Sequence, residues 1–469
     1  VLHGQRWYIL AAFSLLSFQQ CLFWITFSPV AQATEKYYGV DVDAVDLLLN
    51  WGPIIFVPVL PCVVNMSARK GALPHIVRTG ALLCAMAAVL RLLPTWMPDT
   101  LLGQYANTRG IALVHLGQIL NAAVGPMVMA PPPNLSATWF GEKERTTATA
   151  VAVMANQLGA AIGFFAPWVA PSAANIPNLL YAHLVLAGLT LVMVLVYFPE
   201  APPSPPSPSA SMAAALPDAH RAGVVKEFWT ALRNPSFLTL ALSGGIISGV
   251  YNAWSASLDT ILPESLYDPK QAGWLGFASV MAAIIGGTSI GPLVDRIPSL
   301  QHKHKRLILF IMLACSGVSL LFTLSLPISG VSQDGVLPTS FVASGAIVLV
   351  MGLLQGAALP LYYELGVELT YPVSETMSAG FIVQFNNIAA LTMLFVMPDV
   401  NKNSINAMLT FTALGTALMI FFVSERYRRV EAETASRAGG GGGPRGPGLG
   451  AARAAGDGYM ALPDAVGDA

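Results

Sequence analysis

The chain has 469 residues, of which 54% are hydrophobic and only 10% are charged. Soluble proteins average about a quarter charged residues, so the composition excludes a chain that exposes most of its surface to water. The formal net charge of −1 by itself favours no class of partner.

The apolar residues occur in blocks of about 20 or more, the length that a helix needs to cross the hydrocarbon of a bilayer. Backbone polar groups inside lipid must be bonded internally, so repeated blocks of this length predict helices. The sequence therefore predicts an all-α polytopic membrane protein with twelve transmembrane helices. They lie near residues 7–32, 44–65, 72–93, 110–133, 145–170, 178–198, 235–262, 271–294, 306–328, 340–365, 374–398 and 404–424.

The distribution of basic residues predicts the orientation, because cytosolic loops are enriched in Lys and Arg. Nineteen of the 24 Lys and Arg residues fall on one side, together with both termini. The other side keeps five, namely Lys36, Arg91, Arg109, Lys270 and Lys402. Both termini are therefore predicted to be cytosolic.

The apolar blocks divide the chain into two six-helix bundles, residues 1–198 and 235–430. Between them, residues 199–234 form a predicted cytosolic Pro/Ser-rich linker, which contains PEAPPSPPSPSAS and has little to bury. Residues 431–469 form a Gly/Ala-rich tail that is predicted to be disordered.

The tail contains Tyr459-Met-Ala-Leu462 after a glycine, which is typical of a tyrosine-based endolysosomal sorting signal. On this interpretation adaptor proteins bind the tail, and the lysosomal or endosomal membrane is favoured over the plasma membrane. A chance match of so short a motif is the alternative.

The two bundles repeat one another. Glu144 is followed by alanine four residues later and by asparagine twelve residues later, and Glu375 by the same residues at the same spacings. The first helix of each bundle carries a tryptophan at similar depth, Trp24 and Trp254. A repeat of six helices predicts pseudo-symmetric bundles that enclose a central site.

The loop after helix 8 reads Gly291-Pro-Leu-Val-Asp295-Arg296, a G-x-x-x-D-R pattern similar to the signature loop of the major facilitator superfamily. A short loop with an acid and a base can clamp helix ends and break when the bundles rock. Asp295 and Arg296 are therefore predicted to act in gating. The equivalent loop after helix 2 has Ala68 in the acid position, so its clamp is expected to be weaker or to use another acid.

Further stretches carry a family resemblance, namely Leu49-Asn-Trp51-Gly52-Pro53-Ile54, Gly117-Gln-Ile-Leu-Asn121, Ala272-Gly273-Trp274-Leu-Gly276-Phe277 and Tyr363-Glu364-Leu-Gly-Val-Glu368. With them the chain resembles solute carrier family 49 of the major facilitator superfamily over roughly residues 5–430. Most of these stretches resemble the branch called disrupted in renal carcinoma 2. That branch implies proton-coupled export of a vitamin-like solute from lysosomes, with pyridoxine as the suggested substrate.

Other stretches, Phe23-Trp24-Ile25 and Asn156-Gln157-Leu158-Gly159, resemble the feline leukaemia virus subgroup C receptor branch. That branch implies transport of choline- and ethanolamine-type amines, with a tryptophan and a glutamine facing the ligand. Trp24 and Gln157 match those two positions. The corresponding glutamine of helix 11 is Asn387 in this chain, a departure from the amine site.

The predicted substrate-binding residues lie on helices expected to line the central cavity. An aromatic face attracts cations or stacks on a flat ring, and amides orient a ligand by hydrogen bonding. The alternative is that these side chains join neighbouring helices. The candidates are Trp24, Gln157, Tyr251, Trp254, Tyr362, Gln384 and Asn387.

Three acids lie within or beside the predicted spans, where ionisable residues default to a functional interpretation. Glu364 and Glu368 are four residues apart and share a helix face. They are expected to form a gate pair with Arg296 or Arg145, with proton carriage as the alternative. Asp259 lies at the far end of helix 7, where it either receives protons from an acidic lumen or caps a solvated helix end.

The sequence thus predicts a secondary transporter that moves a small organic solute across the bilayer, with proton coupling as an option. An amine or haem transporter and a non-transporting receptor are the alternatives. Neither a phosphate-binding loop nor a hydrolase motif is present, so no enzyme and no catalytic residues are predicted. No cofactor, no metal site and no nucleic-acid partner are expected.

Overall fold

In the part of the chain that the structure describes, twelve long helices lie at the apolar blocks of the sequence. The structure is a computed structural model that describes residues 3–67, 69, 71–96, 106–208, 210–211, 224–256, 258, 269–326, 337, 340–396 and 402–439. The long helices are α1 Arg6–Ile25, α2 Val42–Ser67, α3 Ala72–Trp96, α4 Ala106–Met129, α5 Arg145–Gly163, α6 Ile176–Val196, α7 Pro235–Ala256, α8 Pro269–Arg296, α9 His304–Ser325, α10 Phe341–Thr370, α11 Glu375–Val396 and α12 Lys402–Phe422.

Within the described residues, ten helices are long and apolar enough to span a membrane by composition alone. The other two long helices are α5 and α11, the pair that carries the repeated Glu and Asn residues. Both contact helices of the other half of the chain, so they lie at the interface between the halves. Their lower apolarity therefore fits interior positions.

The helix pairings repeat between the N-terminal half, α1–α6, and the C-terminal half, α7–α12. In the first half α1 packs on α5, α2 and α3 on α4, and α3 on α6. In the second half α7 packs on α11, α8 and α9 on α10, and α9 on α12. The halves meet through α5 with α8 and through α2 with α11, again equivalent pairs. These repeated pairings are those of a pseudo-symmetric all-α transporter fold.

Helix ends differ from the prediction at prolines and turns. Helix α4 ends at Met129 because Pro131, Pro132 and Pro133 have no N–H to continue its hydrogen bonds, and a short helix Pro132–Trp139 follows. The first predicted span is likewise divided, since a 3₁₀ turn at Ser28–Val30 separates α1 from a second short helix.

Two segments outside the long helices are ordered where the sequence predicts loose chain. In the linker, Ser207 is buried and accepts a hydrogen bond of 2.6 Å from Arg145 Nη2, so the Pro/Ser-rich segment does pack on the N-terminal half. At the end of the chain, Arg428–Gly439 is helical and is called the C-terminal helix below. The prediction of disorder from residue 431 is therefore wrong up to residue 439.

Candidate functional site

The end of the molecule that carries the start of α1 and the end of α12, called the terminal face below, joins the two halves. Asp295, in the last turn of α8, binds the first turn of α5 in the other half. Its Oδ2 accepts the backbone N–H of Thr147 at 2.9 Å and the Thr147 hydroxyl at 2.8 Å. The first N–H groups of a helix lack partners within the helix, and its N-terminus is electropositive. Asp295 therefore caps α5 from across the interface.

The glycine of the G-x-x-x-D pattern allows this contact. Gly291 precedes Asp295 by four residues, so the two share the face of α8 that is turned to α5. A Cβ at Gly291 would lie 2.7 Å from Thr147 Cα and 3.0 Å from the carbonyl oxygen of Thr146. Only glycine lets the α5 backbone approach closely enough for Asp295 to reach Thr147. Arg296, the other predicted clamp residue, is exposed.

Glu364 and Glu368 do bind an arginine, but it is Arg429 of the C-terminal helix. Arg429 Nε lies 2.8 Å from Glu368 Oε1, and its Nη2 lies 3.0 Å from Glu364 Oε2. Glu368 Oε2 also accepts the backbone N–H of Arg429 at 3.1 Å. All three side chains are buried, and together they fasten the C-terminal helix to α10. Of the two expected partners, Arg296 has an exposed side chain, and Arg145 donates from Nη2 to Ser207.

Glu364 also contacts the opposite half. Its Oε1 accepts a hydrogen bond of 2.8 Å from Thr149 Oγ1 on α5. Thr147 and Thr149 of one helix turn thus each bind a carboxylate of the C-terminal half, Asp295 and Glu364 respectively. The terminal face is closed by two hydrogen-bonding groups on each side, of which Thr149, Asp295 and Glu364 are buried and Thr147 is partly exposed.

The charge on Arg429 is strongly stabilised. Burial disfavours a charged guanidinium, but the carboxylates of Glu368 and Glu364 outweigh it and raise the pKa of Arg429 above its ordinary value. Arg429 therefore stays a cation at any physiological pH.

Replacing Asp295 with Ala should loosen the terminal face, because the Thr147 N–H and hydroxyl would lose their acceptor at a cost of about 1–3 kcal/mol. We expect a longer mean distance between spin labels at positions 143 and 297 in a background without the exposed Cys62. Arg296→Ala is the matched control, and its distances should stay unchanged. Equal distances in Asp295→Ala and the parent would contradict the capping role.

The Trp24 side chain packs against α2. Its indole Nε1 donates to the carbonyl oxygen of Leu49 at 2.8 Å. That carbonyl is available because the residue four positions later is Pro53, which has no N–H. A Cβ at Gly52 would overlap the indole ring, so glycine is required beside it. The indole N–H is thus occupied, and the partly exposed side chain offers a ligand only its ring face.

The three predicted amides are all partly exposed. Asn387 Nδ2 donates to the carbonyl oxygen of Val383 in its own helix at 2.9 Å, which leaves its Oδ1 as the outward acceptor. Gln384 Oε1 is buried and has no hydrogen-bond partner among the residues that the structure describes. Gln157 lies one residue after Asn156, which instead joins α5 to α1 by donating to the Ser17 carbonyl at 3.0 Å.

The three predicted aromatic residues of the C-terminal half, Tyr251, Trp254 and Tyr362, are all buried. Trp254 Nε1 donates to Asn406 Oδ1 of α12 at 2.8 Å, and its ring stacks on Tyr251 at a centroid distance of 6.0 Å. The Tyr251 hydroxyl is hydrogen-bonded to Ser279. Tyr362 is fully buried on α10. These contacts match the alternative prediction, that the side chains join helices in this conformation.

Several functional residues were not singled out by sequence reasoning. Thr147 and Thr149 are ordinary threonines, and only their place in the first turn of a repeated helix marks them. Arg429 is one basic residue among many at the predicted cytosolic face. Asp259, Tyr459 and Leu462 lie outside the described residues, so their roles stay predictions.

Comparisons with known proteins agree with this geometry. The model of the family described as "Major Facilitator Superfamily" matches residues 13–392. The fold is similar to the proton:xylose symporter XylE bound to 6-bromo-6-deoxy-D-glucose, with a TM-score of 0.65 and 11% identity over 92% of this chain and 99% of that chain. It is also similar to FucP in the outward conformation, with a TM-score of 0.59 and 14% identity over 88% and 98% of the two chains.

Two curated relatives are similar over most of the sequence. The solute carrier family 49 member 4 homolog of Xenopus tropicalis is 30% identical over 91% of this chain and 92% of its own length. The human choline/ethanolamine transporter FLVCR2 is 29% identical over 91% of this chain and 78% of its own length. The protein is thus a multi-pass membrane transporter and not an enzyme. It belongs to solute carrier family 49 of the major facilitator superfamily.

Proposed function

We propose that the protein carries a vitamin-like small organic solute, with pyridoxine as the first candidate, across an endolysosomal membrane by proton-coupled alternating access. The observation that supports alternating access is the pair of contacts Asp295–Thr147 and Glu364–Thr149 at the terminal face. They join two halves with equivalent helix pairings through a few hydrogen bonds. Breaking such bonds opens one face without unfolding either half.

The Trp24 ring face and the partly exposed amides support a flat, polar solute. A pyridine ring can stack on an indole whose N–H is already occupied by Leu49. The unpaired Oε1 of Gln384 is buried in this conformation and would accept a ligand hydroxyl in a conformation that exposes it. The similarity to a solute carrier family 49 member 4 homolog supports the same branch. Asp259 stays the predicted entry point for protons.

A choline- or ethanolamine-type amine is the second candidate. The similarity to FLVCR2 favours it, and an indole face binds quaternary ammonium groups by about 0.5–2 kcal/mol. A haem transporter and a non-transporting receptor keep the same fold, and a flux measurement separates them from both candidates.

Counterflow in proteoliposomes, with labelled pyridoxine and labelled choline at pH 5 and pH 7, tests the proposal. We expect counterflow of pyridoxine and net uptake that rises when the pH differs across the membrane. Counterflow of choline alone would favour the second candidate. Binding of either compound without counterflow would identify a receptor.

Trp24→Ala should weaken substrate binding by about tenfold, because loss of an aromatic contact costs about 0.5–2 kcal/mol. The measurement is the KM of counterflow with the transported compound. Trp168→Ala is the matched control, since Trp168 is 74% exposed at the outside of the helix assembly. An unchanged KM in Trp24→Ala would refute the site assignment.

A further inference from the structure

Arg91 of α3 is completely buried within the N-terminal half. The sequence analysis counts it among the five basic residues of the non-cytosolic side, and the structure buries its side chain completely, with an exposure of 0%. In the described part of the chain no carboxylate pairs with its guanidinium. A charged side chain inside a membrane protein is costly and marks a functional position by default. Its partners therefore require an explanation.

The guanidinium is held by α1 and α4. Nη2 donates to the carbonyl oxygen of Phe23 at 3.3 Å and to Oε1 of Gln118. The guanidinium carbon also lies 5.1 Å from the centre of the Phe23 ring and 5.9 Å from that of Phe27. Aromatic faces and neutral oxygens thus replace a counter-ion around Arg91.

Gln118, which binds Arg91 through its oxygen, also binds the backbone of Trp24. Its Nε2 donates to the carbonyl oxygen of Trp24 and to that of Leu48, each at 3.2 Å. Arginine has only donors, so the oxygen of the Gln118 amide must face Arg91 and its NH₂ group must face the two carbonyls. The hydrogen bonds of the amide therefore leave it a single orientation.

The carbonyls of Phe23 and Trp24 lie at the end of α1. The last four carbonyls of a helix have no partner within it, so those of Phe23 and Trp24 need donors from elsewhere. The Phe23 carbonyl accepts the Thr26 hydroxyl at 2.8 Å and Nη2 of Arg91 at 3.3 Å, and the Trp24 carbonyl accepts Nε2 of Gln118. The second N–H of Gln118 donates to Leu48 and so joins the same point to α2. Backbone and indole of Trp24 are thus both fastened to the same turn of α2.

We infer that Gln118 is a positioning residue for Trp24 and that Arg91 fixes the orientation of Gln118. This inference rests on the proposed function, in which the Trp24 ring face contacts the solute. Neither Arg91 nor Gln118 needs to touch the solute. They hold the end of α1 against α2, so that the indole keeps one position towards the ligand.

Gln118→Glu tests the inference without removing the fold. Glutamate keeps an acceptor for Arg91 and loses both donors to the carbonyls of Trp24 and Leu48. The readout is the ¹⁹F resonance of Trp24 in protein labelled with 5-fluorotryptophan, identified by its absence in Trp24→Phe. We expect that resonance to shift or broaden, while the resonance of Trp168 stays in place. An unchanged Trp24 resonance would overturn the inference.

A double-mutant cycle in the counterflow assay adds a functional readout. We expect Gln118→Glu to raise KM about tenfold with little change in maximal rate, the pattern of lost uniform binding. In a Trp24→Ala background the same substitution should have no further effect. Equal effects in both backgrounds would overturn the positioning role while leaving the proposed function intact. No effect of Trp24→Ala alone would instead refute the site itself.

Arg91→Lys is the second variant, because lysine keeps the charge but cannot reproduce the planar guanidinium that meets Gln118 and Phe23 together. We expect it to shift the Trp24 resonance in the same direction as Gln118→Glu, and by less. A shift of the Trp168 resonance as large as that of Trp24 would indicate a general change of the half and would count against the inference.

Discussion

Replacing the buried Arg429 with Ala should destabilise the protein more than any other single substitution at the terminal face. Glu364 and Glu368 would remain buried, four residues apart and without a cation. Removing one partner of a buried ion pair costs about 3–5 kcal/mol, since the remaining charge stays desolvated. We expect a lower thermal unfolding temperature of the purified protein and a longer distance between spin labels at positions 143 and 297.

Arg426→Ala is the control for this substitution, because Arg426 is an exposed arginine three residues earlier. It should leave both measurements unchanged. Adding Glu364→Gln and Glu368→Gln to Arg429→Ala should restore much of the stability, since the unpaired charges are then removed. If Arg429→Ala unfolds at the same temperature as the parent, the C-terminal helix contributes nothing to closure.

Gly356→Ala should disrupt the packing of α8 on α10. A Cβ at this position would overlap the carbonyl group of Ala283, which is backbone and cannot rotate away. The helices would have to separate, and overpacking of this kind costs about 1–3 kcal/mol or more. We expect a lower unfolding temperature and a smaller yield of monodisperse protein.

Gly317→Ala on α9 provides the comparison, because no atom outside its own helix neighbourhood lies within 4 Å of the added Cβ. Alanine is the better helix former by about 1 kcal/mol, so this variant should be equal to the parent or more stable. Equal unfolding temperatures for Gly356→Ala and Gly317→Ala would contradict the close contact of Gly356 with the Ala283 backbone.

The fold was predictable because a lipid bilayer requires helices of a set length with apolar surfaces. Each spanning helix needs a long apolar block, and in the described residues a long helix lies at each of the twelve blocks, although α1 and α5 each end seven residues before the predicted position. Helix ends differ from the prediction where particular residues interrupt the helix, as the three prolines after Met129 do. The order of the linker at Ser207 was not predictable from composition, because it depends on Arg145 of a distant helix.

The candidate site was predictable only in part. Spacing places Glu364 and Glu368 on one face of α10, but their partner Arg429 is more than sixty residues away and follows a different helix. The repeat identifies Trp24 and Trp254 as equivalent positions, yet Trp24 is partly exposed and Trp254 is buried. Equivalent positions in the chain therefore do not guarantee equivalent surroundings.

The position of Arg429 after the last spanning helix has a consequence for biogenesis. A ribosome makes this residue only after all twelve helices have been synthesised, so Glu364 and Glu368 lack their cation throughout insertion. The terminal face can then close only on a complete chain. A protein tag inserted between α12 and the C-terminal helix would interfere with this last assembly step. A tag placed after the C-terminal helix would not.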